Sequence, residues 1–441
     1  MIIEQITSTV SSLVKNSLYF VGYQTTRIQD FASSLKGNSR HIILTEWNWL
    51  IPITWTAFYA APYMKELGMS GGEIGLVGGL AVSVQAISSV MSGFFAERWG
   101  HKKTVMIFDA LCWPTSYLVF AFAQDIWWIM AATLLNSICL VGQPSWANLF
   151  IEGIKEEKRA NIYALLAMAA NTAAFFMPLA GVFISLFGFT PAVRLMFLIG
   201  SASTAFAVLY RTLKLKETEE GRRLVSKKNH YSFKLELEKF KESFRKIRQR
   251  SELFWFCIVR MLVVFALVMG NTFSTLFLTE KSGLGLNKTD ITVLPFVFSM
   301  VMVMIMLIFI PSVKKEHYKK YLLRGTALAV AAQLIYVISP AGTTSFVLIA
   351  AVLSGIWMAF FRPLSDSYSM NILSDTERTR ILSVFNTLLL ISAIPAAPLA
   401  GFIFSYSPRL LFGIVAAILF AAMVIIRKKF SYGENKELLQ P

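Results

Sequence analysis

The sequence predicts an all-α membrane protein with twelve transmembrane helices in two six-helix bundles, and three observations carry that expectation. Hydrophobic residues fill 55% of the 441 positions and charged residues only 15%, against about a quarter charged in soluble domains. The apolar residues are gathered into runs near the ~20 residues that a helix needs to cross ~30 Å of hydrocarbon. The basic residues fall in alternate connections, as they do where the cytoplasmic side of a membrane retains them. The net charge of +16 therefore reads as topology and lipid head-group attraction, not as a nucleic-acid surface. Cys112, Cys139 and Cys257 lie within apolar runs, with neither metal-ligand spacing nor an evident disulfide partner.

Residues 1–41 are a mixed segment in which Glu4, Lys15, Arg27 and Asp30 interrupt any signal-peptide core. An amphipathic helix on the membrane surface and a disordered cytoplasmic tail are both compatible with it. The first bundle, 42–213, holds apolar runs near 42–64, 72–95, 104–123, 127–151, 161–187 and 191–212. The linker 214–252 is the one long polar stretch inside the chain. In its second half Phe233, Leu237, Phe240, Phe244 and Ile247 recur at helical steps, with Lys234, Lys239, Lys241, Arg245 and Arg248 on other faces. That pattern predicts a basic amphipathic helix lying along the cytoplasmic surface. The second bundle, 253–427, holds runs near 253–279, 290–312, 320–339, 344–370, 380–405 and 409–426, and a tail, 428–441, follows. Basic clusters at 98–103, 155–159, 214–251, 314–320, 378–380 and 427–429 share one side, while the other has only scattered cations such as Lys65, Lys281, Lys288 and Arg409. Both termini are expected in the cytoplasm, in a multi-pass protein of the cell membrane.

The two halves look like copies. Pro178-Leu179-Ala180-Gly181 returns as Pro398-Leu399-Ala400-Gly401, and Glu157-Lys158 returns as Glu377-Arg378 at the same offset. Glu66-Leu67-Gly68-Met69 with Glu73-Ile74 is echoed, at nearly that spacing, by Gly283-Leu284-Gly285-Leu286 with Asp290-Ile291. Two related six-helix units are the pattern of transporters built from parallel repeats.

Between the second and third runs lies Gly93-Phe94-Phe95-Ala96-Glu97-Arg98-Trp99-Gly100-His101-Lys102-Lys103. One reading is a basic loop that merely obeys the charge rule. The stretch also resembles the signature loop of the major facilitator superfamily, Gly-x-Leu-Ala-Asp-Arg-x-Gly-Arg-Lys. Gly93, Arg98, Gly100 and Lys102 match, while Phe95, Glu97 and His101 replace Leu, Asp and Arg. The resemblance implies a secondary transporter whose bundles rock about a central cavity lined by the first, fourth, seventh and tenth helices. It further implies cytoplasmic gating pairs: Glu97 with Arg378 or Arg380, and Arg98 with Glu152. Two departures weaken a multidrug reading. Met177-Pro178-Leu179-Ala180-Gly181-Val182 keeps one glycine of the antiporter motif, and Asn136 stands roughly where many proton-coupled exporters have an arginine.

The cavity helices nominate Glu46, Trp55 and Tyr59 from the first, Asn136, Gln143 and Trp146 from the fourth, Arg260 and Asn271 from the seventh, and Arg362 and Asp366 from the tenth. Charges at membrane depth are costly and face a cavity or one another. Arg362 and Asp366, four apart, can neutralise each other. Alternatively, Arg260 and Arg362 bind an anionic group while Asp366, and behind it Glu46, exchanges a proton. Burial favours the neutral carboxyl and a nearby arginine the ionised one. Trp55, Trp146 and Trp357 either stack on an aromatic substrate or pack helices. His41, His101, His230 and His317 fall at or outside the cytoplasmic boundary, and no metalloenzyme or nucleophile motif lies inside the runs. The expectation is a monomeric, proton-coupled transporter of an amphipathic or anionic small molecule, in contact with membrane lipid, with efflux favoured and no metal or organic cofactor. A lipid or lysolipid flippase on the same fold, and a non-transporting receptor or scaffold, are its rivals.

Overall fold

The structure, a computed structural model, describes residues 37–152, 154, 156–226, 233–309, 313, 317–372 and 378–430. The expectations for residues 1–36 and for the tail beyond 430 lie outside the described residues, as do the side chains of Arg378 and Arg380. Among the described residues the chain is helical apart from turns and short connections, as a bilayer requires of backbone that cannot bond to lipid.

Helix α1 is Asn38–Glu66, and Gly68, at φ 86°, turns the chain out of it. Ser70 starts the next helix with a reciprocal cap: its Oγ accepts from the Glu73 N–H at 3.3 Å, and Glu73 Oε2 accepts from the Ser70 N–H at 2.7 Å. The stretch Gly71–Ala121 runs 51 residues, about 76 Å if straight, more than twice the thickness of hydrocarbon. It is not straight. Gly100 has φ 78° and ψ 176°, a conformation natural only to glycine, and the chain folds back there. The rings of Phe95 and Phe108 meet at 5.0 Å. We label the arms α2 (71–99) and α3 (101–121).

Asp125 caps α4, accepting from the Trp127 and Trp128 N–H groups at 2.9 and 3.2 Å. This helix consists of Ile126–Val141 and, past a 44° bend, Gln143–Ile151. Helix α5 comprises Glu156–Thr172, a tight turn at Ala173–Phe176, and Met177–Phe187. Gly188, at φ 79°, leads into α6, Phe189–Lys214. Two linker helices follow, α7 (Glu219–Ser226) and α8 (Phe233–Gln249). Then come α9 (Ser251–Thr279), α10 (Val293–Ile308), α11 (Tyr318–Ile338), α12 (Thr344–Ile372), α13 (Arg378–Ala393 continuing as Ala396–Tyr406) and α14 (Pro408–Lys429).

Among the described residues nine helical stretches are long and apolar enough to cross a membrane, ten with the bent α4. Two expected runs share the stretch Gly71–Ala121. The first run forms α1, whose Asn, Thr, Trp and Pro residues make it less apolar.

α1 packs on α6, α3 on α6 and α4, and α5 on α6; in the second set α11 packs on α12 and α14, α10 on α12, and α9 on α14 and α13. Across the two sets the pairings are reciprocal. α2, second of its set, meets α13, fifth of the other, while α5 meets α10, and α1 meets α9. Helix α8 packs against α9 and α13. Its Ile247 is buried and Phe240 half-buried against the core, leaving Phe244 exposed. The apolar stripe expected to lie on the membrane surface is thus partly occupied by the protein itself.

Candidate functional site

One end of the bundle carries Gly100, α7 and α8 and is called the basic end here; the other carries the α1–α2, α5–α6 and α9–α10 turns. At this far end the two helix sets are locked together. Lys288 Nζ is ion-paired with Glu66 and lies 3.9 Å from the Phe189 ring centroid. Its carbonyl accepts from the Tyr59 hydroxyl at 2.7 Å. Lys65 and Glu280 approach to 3.9 Å; deeper, midway along α5, the Ser299 hydroxyl donates to the Asn171 carbonyl.

Glycines bring the backbones close. On α2, Gly71, Gly75 and Gly79 recur at every fourth residue, one face of a helix. A Cβ on Gly75 would lie 2.5 Å from the Ala397 carbonyl oxygen and 3.0 Å from Gly401 Cα. One on Gly79 would lie 2.5 Å from Pro398 Cγ. In the other pairing, a Cβ on Gly181 would lie 3.0 Å from Thr292 Oγ1. Both copies of the Pro-Leu-Ala-Gly repeat therefore sit where one helix set crosses the other.

At the basic end the partners expected for Glu97 across the halves, the side chains of Arg378 and Arg380, lie outside the described residues. Glu97 and Arg98 have no ion-pair partner among the described residues; Arg98 is exposed and Glu97 and Gly93 are partly so. Glu152 does not pair with Arg98 but accepts from the Glu219 N–H at 2.6 Å. The turn itself is held by a residue the sequence reading passed over. Glu217 Oε1 accepts from the His101 N–H at 3.0 Å and Oε2 from the Lys102 N–H at 2.9 Å. His101 is buried, with Nδ1 3.2 Å from Ser145 Oγ and Nε2 3.4 Å from Asn148 Nδ2, so it fastens the turn to α4. Lys103 Nζ lies 5.8 Å over the Trp99 ring.

Glu46 is engaged with Arg211, a residue absent from the sequence candidates. Their closest N–O distance is 2.7 Å. Arg211 is 2% exposed, also donates to Thr45 Oγ1 at 2.8 Å and the Ile42 carbonyl at 3.1 Å, and lies 4.0 Å from the Trp49 ring centroid. The rule that a cation inside an apolar run needs a partner applies to Arg211 as it does to Arg260, and could have found it. Arg362 and Asp366 do not neutralise each other. Asp366 Oδ1 accepts from Arg260 Nη1 at 2.8 Å, and the same guanidinium donates to Ser365 Oγ. The pair thus links α9 to α12, while Arg362 is exposed with no partner among the described residues.

Other candidates are occupied in packing. Trp55 Nε1 donates to the Phe176 carbonyl at 2.9 Å and its ring meets Phe183 edge-on. Asn136 donates to the Cys112 carbonyl at 3.0 Å. Trp146 stacks on Phe150 at 5.1 Å. Gln143 is exposed. Of the residues named for the cavity, Asn271 and Trp357 line a cavity among the described helices.

That cavity has a volume of about 410 Å³ and is walled by α9, α10, α11, α12 and α14, with Thr54, Ala57 and Phe58 of α1 on its remaining side. No lining residue is Asp, Glu, Lys, Arg or His. Besides Asn271 and Trp357 it includes Gln333 of α11, a helix outside the four that the family resemblance pointed to. Leu267 and Met358 also line it; they lie seven residues from Arg260 and eight from Asp366. At 1.5 Å per residue the Arg260–Asp366 pair is displaced about 10–12 Å toward the basic end. Among the described residues no group of three His, Cys, Asp or Glu side chains could hold a metal ion.

The family model for the Major Facilitator Superfamily matches residues 49–345 and 316–437. The chain belongs to the Major Facilitator Superfamily. Membership groups it with transporters and not with enzymes. It is similar to the multi-drug resistance efflux pump PmrA of Streptococcus pneumoniae serotype 4 (strain ATCC BAA-334 / TIGR4), at 26% identity over 160 residues, 35% of this chain and 39% of that protein. The matched stretch thus spans about two fifths of the pump. Two solved structures share the superfamily fold with it. The nucleoside transporter NupG aligns with TM-score 0.66 at 15% identity, covering 88% of this chain and 99% of that one. The peptide transporter POT aligns with TM-score 0.68 at 11% identity, covering 90% and 96%.

Proposed function

We propose that the protein is a secondary transporter that moves a small organic solute across the cell membrane by alternating access, driven by protons, with efflux as the favoured direction. In this reading α1–α6 and α9–α14 are twelve membrane spans in two six-helix domains, 42–213 and 253–427, joined by the linker 214–252. The basic end and both termini face the cytoplasm. The observation that carries the reading is the closure of the far end, where glycine-mediated backbone contacts and the Lys288–Glu66 pair join the two helix sets. Closure of one end is half of a cycle in which one set of contacts forms as the other breaks.

The Arg260–Asp366 pair supports proton coupling. It joins the first and fourth helices of the second domain, and Asp366 is 57% exposed, so a proton can reach the carboxylate and release the arginine. The similarity to an efflux pump favours export. Purified protein in vesicles with an internal pH dye tests the reading: an imposed pH gradient should drive solute accumulation with matching proton flux. Accumulation indifferent to the gradient would overturn proton coupling.

A further inference from the structure

Helix α8 meets the rest of the protein with one face and leaves the neighbouring face uncovered. Phe240, Ser243 and Ile247, spaced three and four apart, form the docking face: Ser243 and Ile247 are buried and Phe240 packs against the core, where α8 lies on α9 and α13. The residue after each, Lys241, Phe244 and Arg248, points about 100° further round the helix. Arg245, four residues from Lys241, joins that side. All four side chains are exposed, the Phe244 ring by 42%. Lys241, Arg245 and Arg248 have no ion-pair partner among the described residues. The acid lies on the other flank, where Glu242 pairs with Lys246 at 3.2 Å.

Connectivity sets the depth of this face. α8 ends at Gln249, and α9, long and apolar enough to cross a membrane, starts at Ser251. Arg248 therefore stands three residues from the start of a membrane span. The end of α14 is at the same level: Lys429 Nζ lies 5.2 Å from the ring centroid of Trp255, just past the first turn of α9, and Arg427 and Lys428 beside it are exposed. Aromatic rings with cations around them mark the membrane–water boundary at the ends of spans.

We propose that the Lys241–Phe244–Arg245–Arg248 flank of α8 binds anionic phospholipid. The three cations meet headgroup phosphates, and the Phe244 ring enters the boundary between headgroups and acyl chains. The apolar stripe that periodicity assigns to the membrane is taken up by α9 and α13, so contact with lipid passes to the adjacent face. A negatively charged surface is the partner because the flank carries three cations and no acid, and each such cation strengthens attachment to an anionic bilayer about fivefold. The inference holds whatever solute is moved and whether or not protons drive it; it needs only that α9 and α14 cross the membrane.

The test places the purified full-length chain in nanodiscs of phosphatidylcholine, with and without phosphatidylglycerol, and follows hydrogen exchange of the α8 amides. Phosphatidylglycerol should slow their exchange about fivefold or more, and about 1 M salt should remove the difference. Arg248→Gln should weaken the effect severalfold, and the combined Lys241→Gln, Arg245→Gln and Arg248→Gln variant should abolish it. Lys246→Gln, which takes one cation from the other flank, should leave it intact. These side chains are exposed or half-exposed, and if the triple variant does not fold, the comparison of Arg248→Gln with Lys246→Gln decides.

Equal exchange in the two bilayers would overturn the proposal, as would protection that survives the loss of all three cations. Lys246→Gln acting as strongly as Arg248→Gln would reduce the effect to net charge and remove this face from it. Soluble polyglutamate protecting α8 in phosphatidylcholine nanodiscs as well as phosphatidylglycerol does would give the flank to an acidic protein in place of lipid.

Discussion

Adding one methyl group at Gly75 should push the protein out of the conformation described here. A Cβ at that position would meet the Ala397 carbonyl oxygen at 2.5 Å, with Gly401 Cα at 3.0 Å and Gly401 N at 3.2 Å. All three are backbone atoms, so no side chain can rotate away and α2 and α13 must separate. Overpacking of this kind costs about 1–3 kcal/mol. Alanine also favours the helix over glycine by up to about 1 kcal/mol, but α2 is helical in both states and that gain cancels between them. The equilibrium between closed and open far ends should therefore shift about 5- to 150-fold toward open. Spin labels at Leu186 and Lys281, on α5 and beyond α9 at the far end, report the separation in Gly75→Ala. A long-distance population should grow at the expense of a short one. A distance distribution identical to that of the unsubstituted protein would refute the claim that this glycine contact holds the far end shut.

Three further perturbations separate structural from functional charges. Glu46→Gln strips the buried Arg211 guanidinium of its carboxylate and should lower stability by about 3–5 kcal/mol, with most of it regained on pairing Glu46→Met with Arg211→Met. A thermal midpoint equal to that of the unsubstituted protein would free Glu46 for a coupling role. Asp366→Asn removes an exposed pair worth at most about 1 kcal/mol, so folding should persist while pH-driven accumulation is lost; accumulation at the original level would remove Asp366 from coupling. Glu217→Ala frees the His101 and Lys102 amides and should speed their hydrogen exchange about tenfold or more. Unchanged exchange there would mean that other contacts hold the turn.

The helical architecture was readable because a bilayer leaves the backbone few choices, so run lengths and basic loops carry most of the information. The duplicated Pro-Leu-Ala-Gly motif was visible as a repeat, but its place at the crossing of the two helix sets depends on α2 and α10, distant in sequence. The site was less legible, since tertiary partners displaced local ones. Asp366 turned from Arg362, one helical turn away, to Arg260 on another helix. Glu46 found Arg211 across the first domain, and Tyr59 reached the Lys288 backbone in the second. Trp357 was flagged by its aromatic ring and lines the cavity. Gln333 lies on α11, outside the four helices that the family resemblance implies, and the cavity extends to α11 and α14.

The central claim is that the two helix sets rock so that one end closes as the other opens. Distances between labels at Leu186 and Lys281 at the far end, and between labels at Lys103 and Lys320 at the basic end, measured on the reconstituted protein at acidic and neutral pH, test it without knowledge of the substrate. The account predicts reciprocal changes, the far-end distance lengthening as the basic-end distance shortens. Two distances that stay fixed, or that lengthen and shorten together, would contradict it.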